Sequence, residues 1–204
     1  MKLFQQNYIK QSSRGAQPLA VKDIQFTENR IISFTGKVEP DSAQELISKL
    51  LFLDRLSEKP ITLMINSGGG DCFSGYAVID VMNGLRSPVH TVCAGLCASM
   101  AAFIFICGKK RSILRHSRIM VHDAALTRMD GRITAAAMSD EIVLLKQMHD
   151  ENKRLLVECT SLTAKEAERM LAGDTWILAD EATAKGLADE ILTDAGKLGI
   201  SPED

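Results

Sequence analysis

The stretch ITLMINSGGG, residues 61–70, decides the fold. Its first six residues are mostly apolar and rich in isoleucine, which is typical of a buried β-strand. The three glycines that follow predict a tight turn into a helix through Tyr76 and Met82 to Leu85. A strand that turns directly into a helix is the first half of a βαβ unit.

Similar units lie on both sides of this stretch. Short apolar runs that predict strands begin near positions 31, 61, 89 and 118, and helical patterns lie between them. Their spacing of about 29 residues suits βαβ units, whose consecutive strands are parallel and joined by right-handed crossovers. The strands are continuously apolar, which indicates a sheet buried on both faces. The chain is therefore predicted to be α/β.

A long helix is predicted over residues 133–160, where glycine and proline are absent and apolar residues recur at helical spacing. At 1.5 Å per residue it would be about 40 Å long, which exceeds the width of one small domain. Part of it should project and pack against another subunit. Around it we predict a flexible arm over residues 1–25, one domain over 26–196, and a tail over 197–204.

Composition excludes several classes of protein. The chain has 204 residues, 46% of them hydrophobic, and a net charge of -2. A nucleic-acid-binding protein would normally carry a basic excess, so no nucleic-acid partner is expected. No apolar run is long enough to span a membrane, and the first residues lack the apolar core of a secretory signal, so we expect a cytoplasmic protein. The five cysteines, an odd number, are expected to be reduced.

Three side chains and one glycine-rich turn could carry chemistry. Ser99 lies where a strand gives way to a helix, His122 ends a strand, and Asp174 precedes one. Taken singly, each has a structural explanation: a helix cap, a structural histidine and a turn residue. Together they supply a nucleophile, a base and an orienting carboxylate, and the glycine turn supplies backbone N–H groups for an oxyanion.

Four motifs carry a resemblance to a known family. They are LLFLDRLSEKPITLMINSGGG (50–70), GLCASMAAF (95–103), RIMVH (118–122) and GDTWILADEATAKGLAD (173–189). In this order and spacing they resemble the proteolytic subunits of ATP-dependent Clp proteases, the ClpP family. The resemblance implies a crotonase-like spiral of ββα units and a serine endopeptidase. Ser99 then matches the nucleophile, His122 the base and Asp174 the third triad member. Gly70 and Met100 match the residues whose N–H groups form the oxyanion hole.

The resemblance also implies an assembly. The family forms two stacked heptameric rings, and residues 133–160 match the handle helix that joins ring to ring. An AAA+ Clp ATPase feeds unfolded polypeptides to the rings and hydrolyses the ATP, so no cofactor is expected in this chain. No membrane partner is implied.

The sequence departs from the family pattern in ways that leave alternatives open. Gly68 replaces a proline of the glycine turn, and Asp123 follows the histidine where the family has an uncharged residue. Asp123 could raise the pKa of His122 or contact a neighbouring subunit. The tyrosine-bearing N-terminal helix of the family is not recognisable in AQPLAVKDIQFTEN, residues 16–29. The alternatives are a Clp-like peptidase without an ATPase, a non-catalytic ring partner, and a crotonase-type acyl-CoA enzyme.

Overall fold

A seven-stranded sheet with helices packed on it forms the centre of the molecule. The structure, a computed structural model, describes residues 9–12, 15–18, 29–126 and 134–194. The strands are β1 Ile9–Ser12, β2 Gly15–Pro18, β3 Ile31–Val38, β4 Ile61–Gly70, β5 Val89–Ala98, β6 Lys110–Leu114, β7 Arg118–Val121, β8 Thr175–Leu178 and β9 Glu190–Leu192. The helices are α1 Pro40–Leu56, α2 Cys72–Gly84, α3 Met100–Ile106, α4 Ala135–Cys159, α5 Ala164–Leu171 and α6 Ala179–Ala184.

The sheet is almost entirely parallel. Its main path runs β3-β4-β5-β6-β9, and β7 joins it beside β5. All these neighbours are parallel, while β8 pairs antiparallel with β7. The predicted α/β class is confirmed, and so are the four strands predicted near positions 31, 61, 89 and 118.

Strand β5 divides the sheet into two branches. Its first half, from His90 to Cys93, pairs with β6, and its second half, from Leu96 to Ala98, pairs with β7. The branch point is Gly95, which has a φ of +120° and donates its N–H to the hydroxyl of Ser117 over 2.8 Å. A residue with a side chain is strained at this φ, so glycine lets the strand change partners. The branch brings the end of β5 alongside β7.

The hydrophobic core lies between the helices and the sheet. Helix α3 is apolar on every side, and all seven of its residues are buried. The first turn of helix α1 is capped by residues of its own sequence. Glu39 is the cap, Pro40 occupies the first turn, and Ser42 completes a capping box with Glu39.

The long helix has two different halves. It spans Ala135–Cys159 and begins at Thr134, whose hydroxyl caps it; the first residue predicted for it, 133, lies outside the described residues. Its buried side chains all lie in the second half: Met148, Asn152, Leu155 and Leu156. Apolar side chains of the first half are exposed, among them Met138, Ile142 and Val143. The first half thus has an apolar face without cover from the described part of its own chain.

Four strands occur where none was predicted. Strand β6 begins in the basic run Lys109-Lys110-Arg111, which reads as a loop, and it pairs with β9, which was also missed. Within the predicted arm, β1 and β2 form an antiparallel pair where no regular structure was expected. The rest of that arm and the tail over 197–204 lie outside the described residues. Among the helices described, none has the length and apolar character required to cross a membrane.

Candidate active site

Ser99 lies at a sharp turn between β5 and α3. Its backbone has φ 53° and ψ -128°, a conformation that costs an L-residue free energy and that clusters at functional sites. The turn is held from the side, because the Ser99 N–H donates to the carbonyl of Met120 on β7 over 2.8 Å. Met100 is the first residue of α3, so its N–H lies next to the serine at the start of the helix.

His122 reaches Ser99 from the neighbouring strand. It directly follows β7, and its Nε2 lies 2.7 Å from the Oγ of Ser99, which is hydrogen-bonding distance. The contact follows from the branch in β5, since β7 pairs with the residues that lead into Ser99. The predicted nucleophile and base are therefore in direct contact.

Asp174 lies on the other side of the imidazole. It precedes β8, and the antiparallel register places Val121 opposite Thr175, so His122 and Asp174 follow and precede paired residues. Its Oδ1 is 3.6 Å from Nδ1 of His122, which is longer than a hydrogen bond, and its side chain is 68% exposed. Such contacts are often long in unliganded enzymes and shorten when substrate binds.

The glycine turn lies against the nucleophile. A Cβ at Gly69 would be 2.5 Å from the carbonyl oxygen of Ala98 and 2.9 Å from the nitrogen of Met100. Gly69 also has a φ of +87°, and its N–H donates to the hydroxyl of Ser67 over 3.1 Å. The glycine turn was predicted to have a role, but none was assigned to Gly69 individually. The run of three glycines could have indicated such a role, because a turn alone does not require three glycines.

Gly70, one of the two predicted oxyanion donors, borders the same cleft as Ser99. Its φ is +151°, and a Cβ there would come within 2.1 Å of the carbonyl oxygen of Val38. The position therefore excludes side chains because β3 approaches it. The cleft has a volume of about 600 Å³. Its other lining residues include Lys37, Asn66, Cys72, Met120, His122 and Asp123.

Asp123 contacts the long helix of its own chain. Its Oδ2 lies 3.0 Å from Nδ1 of His149, and Nε2 of the same imidazole lies 3.4 Å from Glu168 on α5. Lys153 also pairs with Glu168, at 2.5 Å. Burial disfavours the charged imidazole, but Asp123 and then Glu168 outweigh it, so the pKa of His149 is raised. The sequence analysis considered His122 or a second subunit as the partner of Asp123. The partner in the structure is His149 instead.

The described residues offer no metal centre of the usual kind. Within residues 29–126 and 134–194, no three histidine, cysteine, aspartate or glutamate side chains are grouped so that they could hold a metal ion. The polar groups at the site are instead the imidazole that contacts Ser99, a carboxylate on the far side of that imidazole, and backbone N–H groups next to the serine. This set is suited to acyl transfer.

Known proteins share this sequence pattern over most of the chain. The family model described as "Clp protease" matches residues 16–195. ATP-dependent Clp protease proteolytic subunit 1 of Prochlorococcus marinus subsp. pastoris is 38% identical over 170 residues, covering 80% of this chain and 83% of the relative. ATP-dependent Clp protease proteolytic subunit 2 of Synechococcus sp. is 34% identical over 187 residues, covering 90% of this chain and 93% of the relative. The subunit 2 of Parasynechococcus marenigrum is likewise 34% identical, over 190 residues. The motifs, the branched parallel sheet and these similarities together assign the chain to the Clp protease family.

Proposed function

We propose that this chain is the proteolytic subunit of a Clp-type protease, a serine endopeptidase that cleaves unfolded polypeptides delivered by an AAA+ ATPase. The observation that carries the proposal is the 2.7 Å contact between Ser99 Oγ and His122 Nε2, at the edge of a cleft bordered by a glycine turn. Membership of the Clp protease family supports the same reaction. A crotonase-type acyl-CoA enzyme needs no such pair, so the contact disfavours that alternative.

In the proposed reaction, His122 takes the hydroxyl proton as Ser99 Oγ attacks the peptide carbonyl. The new bond joins Oγ to the carbonyl carbon, and the protonated imidazole then gives its proton to the leaving amine. Asp174 orients the imidazole and stabilises its charged form. A water molecule, activated by the same imidazole, hydrolyses the acyl-enzyme.

The negative charge of the tetrahedral intermediate is assigned to the N–H groups of Gly70 and Met100. In comparable enzymes one such donor contributes about 3 to 4 kcal/mol. The proposal needs no cofactor or metal in this chain, and ATP hydrolysis is left to the partner ATPase. An extended substrate would add as a strand along the backbone after Gly70 and after His122, where main-chain hydrogen bonds give affinity without sequence preference.

We further propose two stacked heptameric rings in the cytoplasm, with α4 joining one ring to the other. The support is the exposed apolar face of its first half, in particular Met138 and Ile142, which lie four residues apart. Burying such a face requires a partner, and a second copy of the helix supplies one of matching length and character.

A second candidate is a Clp-like peptidase that works without an ATPase or as one subunit of a mixed ring. It is favoured by the sequence of residues 16–29, in which the family's tyrosine-bearing segment is not recognisable. Purification from native cells followed by identification of bound chains distinguishes the two. A bound AAA+ ATPase supports the first candidate. A particle without an ATPase, made of this chain alone or of this chain with a second Clp-type subunit, supports the second.

The test of the peptidase uses short fluorogenic peptides and a fluorophosphonate that labels activated serines. We expect the wild-type chain to cleave the peptides and to be labelled at Ser99. The Ser99→Ala variant should retain its fold and assembly but lose hydrolysis to below about 1%, since loss of a nucleophile costs orders of magnitude. The control is Ser48→Ala on α1, where the exposed hydroxyl donates to the carbonyl of Gln44 one turn earlier in the same helix. Residual activity of Ser99→Ala near that of the control would refute the assignment of the nucleophile.

A further inference from the structure

Two cysteines far apart in the sequence meet where α3 and α4 end. Cys107 follows the last residue of α3, and Cys159 is the last residue of α4. Their sulfur atoms are 3.5 Å apart. Neither lines the cleft, where the cysteine present is Cys72, and the proposed peptidase mechanism uses none of the three.

The position of Cys159 is fixed by an arginine. The guanidinium of Arg111 donates from one nitrogen to the carbonyl of Cys159 and to that of Gly186, the latter over 3.0 Å. It also pairs with the carboxylate of Asp189 at 2.5 Å. The helix end that carries Cys159 is therefore tied to β6 and to the segment before β9. The sulfurs face each other because the fold holds them there.

The two thiols differ in chemical character. The pKa of Cys159 is lowered, first by the hydrogen bond from Cys107 and further by the guanidinium groups of Arg111 and Arg154. The pKa of Cys107 is raised by the same hydrogen bond and by burial. Cys159 is also the more exposed of the two. One sulfur thus has the character of an attacking thiolate and the other that of a protonated partner.

We propose that Cys107 and Cys159 are a redox pair that forms a reversible disulfide within one chain, with hydrogen peroxide as the oxidant. The Cys159 thiolate attacks one peroxide oxygen, the O–O bond breaks, and a sulfenic acid and hydroxide form, the hydroxide leaving as water after it takes up a proton. The sulfur of Cys107 then attacks the sulfenic sulfur. The S–O bond breaks, the Cys107 proton leaves with the hydroxyl as a second water, and the S–S bond forms, with the Cys107 sulfur oxidised and the sulfenic sulfur reduced to the disulfide level. A dithiol returns the pair to thiols by exchange.

Little movement is needed to close this bond. A disulfide has an S–S distance of about 2.05 Å, so the sulfurs must approach by about 1.5 Å, which side-chain rotation can supply. The bond would close a loop that contains β6, β7, His122 and α4. It would thereby join the helix that begins beside the nucleophile to the end of the long helix. The proposal goes beyond the peptidase activity and does not depend on it.

The experiment uses the full-length wild-type protein, first fully reduced and freed of reductant. It is exposed to hydrogen peroxide, the remaining thiols are alkylated, and the protein is digested with trypsin and analysed without reduction. We expect a cross-linked species of peptides 87–109 and 155–165 that lacks two hydrogens and disappears on treatment with a dithiol. Because peptide 87–109 also contains Cys93 and Cys97, fragmentation in the mass spectrometer must assign the bond to Cys107.

Variants provide the matched controls. Cys159→Ser and Cys107→Ser should each abolish the cross-link, whereas Cys72→Ser should leave it unchanged. Cys72 is half-buried like Cys159, but its pKa is raised by burial and by Asp71. In the reduced wild-type protein, Cys159 should therefore be alkylated faster than Cys72 near neutral pH.

Three results would overturn the proposal, and each can be read from the wild-type protein alone. All five thiols could stay free after peroxide treatment. Cys159 could accumulate as sulfinic acid with Cys107 still reduced. The cross-link could instead join Cys159 to Cys93, to Cys97 or to a second chain. A bond between Cys107 and Cys159 of one chain that forms and reverses supports it.

Discussion

The carboxylate of Asp123 lies 3.0 Å from Nδ1 of His149, so the residue next to the proposed base is bonded to the long helix of the same chain. His149 belongs to the packed second half of α4, close to the buried Met148. Asp123 lines the cleft. One ion pair therefore connects the wall of the cleft to the helix whose other half is exposed.

Replacing Asp123 with asparagine should lower stability more at low pH than at high pH. The raised pKa of His149 means that the pair stabilises the fold fully below the unfolded pKa of about 6.5, and that this contribution is lost as pH rises through the folded pKa. The carboxylate is nearly half-exposed, so solvent screening limits the loss to about 0.5 to 1 kcal/mol at pH 6. Urea unfolding at pH 6 and pH 9, at one protein concentration, measures it.

Asp180→Asn is the matched control for this experiment. Asp180 pairs with Arg115 at 2.7 Å, and an arginine stays charged at both pH values. The stability lost when this pair is removed should therefore be the same at pH 6 and at pH 9. Equal destabilisation by Asp123→Asn at pH 6 and at pH 9 would contradict the pairing of Asp123 with His149.

The backbone of Ser99 predicts an unusual order of stability for two inactive variants. Glycine normally destabilises a regular element relative to alanine by about 0.5 to 1 kcal/mol. At φ 53° and ψ -128° the cost falls on alanine instead, so Ser99→Gly should be more stable than Ser99→Ala by about 1 kcal/mol. Thermal unfolding of the two variants tests this. The control is the neighbouring Ala98, which has no positive φ, so Ala98→Gly should destabilise the fold. If Ser99→Gly proved less stable than Ser99→Ala, the backbone of the serine would not be strained.

Two adjacent glycines should respond differently to alanine. At Gly69 the new methyl group would lie 2.8 Å from the Cβ of Ser99, so the nucleophile must shift, and a displacement of about 1 Å can reduce the rate about 100-fold. At Gly68 no atom lies within 4 Å of the new methyl group. The rate of peptide hydrolysis should therefore fall at least about 100-fold in Gly69→Ala and stay near that of the wild type in Gly68→Ala. Similar rates in the two variants would show that the approach of Gly69 does not matter for catalysis.

A charge on the exposed face of α4 should divide the proposed stacked particle. Ile142 is 61% exposed in the single chain, and burying a lysine there against an apolar partner is costly. Ile142→Lys should sediment as single rings, with the fold of each subunit kept. Gln147→Lys, also exposed on this helix, is the control and should leave the particle intact. If Ile142→Lys sediments like the wild type, this face does not join the rings.

The sequence allowed the meeting of Ser99 and His122 to be anticipated, because the carboxyl ends of parallel strands lie at one edge of a sheet. Asp174 precedes its strand, and it reaches the same edge because β8 runs antiparallel to β7. The basic start of β6 was missed for a different reason. Arg111 is stabilised in the strand by Asp189, which is 78 residues away, and no local pattern reveals such a partner.

The backbone of Ser99 and the partner of His149 also escaped prediction. A positive φ at a serine leaves no trace in hydrophobic spacing, because the surrounding turn imposes it. The pairing of Asp123 with His149 depends on the rotation of α4 about its axis, which periodicity fixes only within a broad face. The sequence thus indicated the candidate reactive groups more readily than the way in which the fold holds them.

The pairing of β8 with β7 also has a consequence for the time at which the protease becomes active during its synthesis. Ser99 and His122 are translated before Asp174, and the carboxylate is brought to the imidazole by β8, which cannot pair until residues 175–178 have left the ribosome. A growing chain can therefore present the nucleophile and the base while still lacking the third group. The order of the three residues along the chain therefore delays completion of the proposed triad until the domain is nearly made.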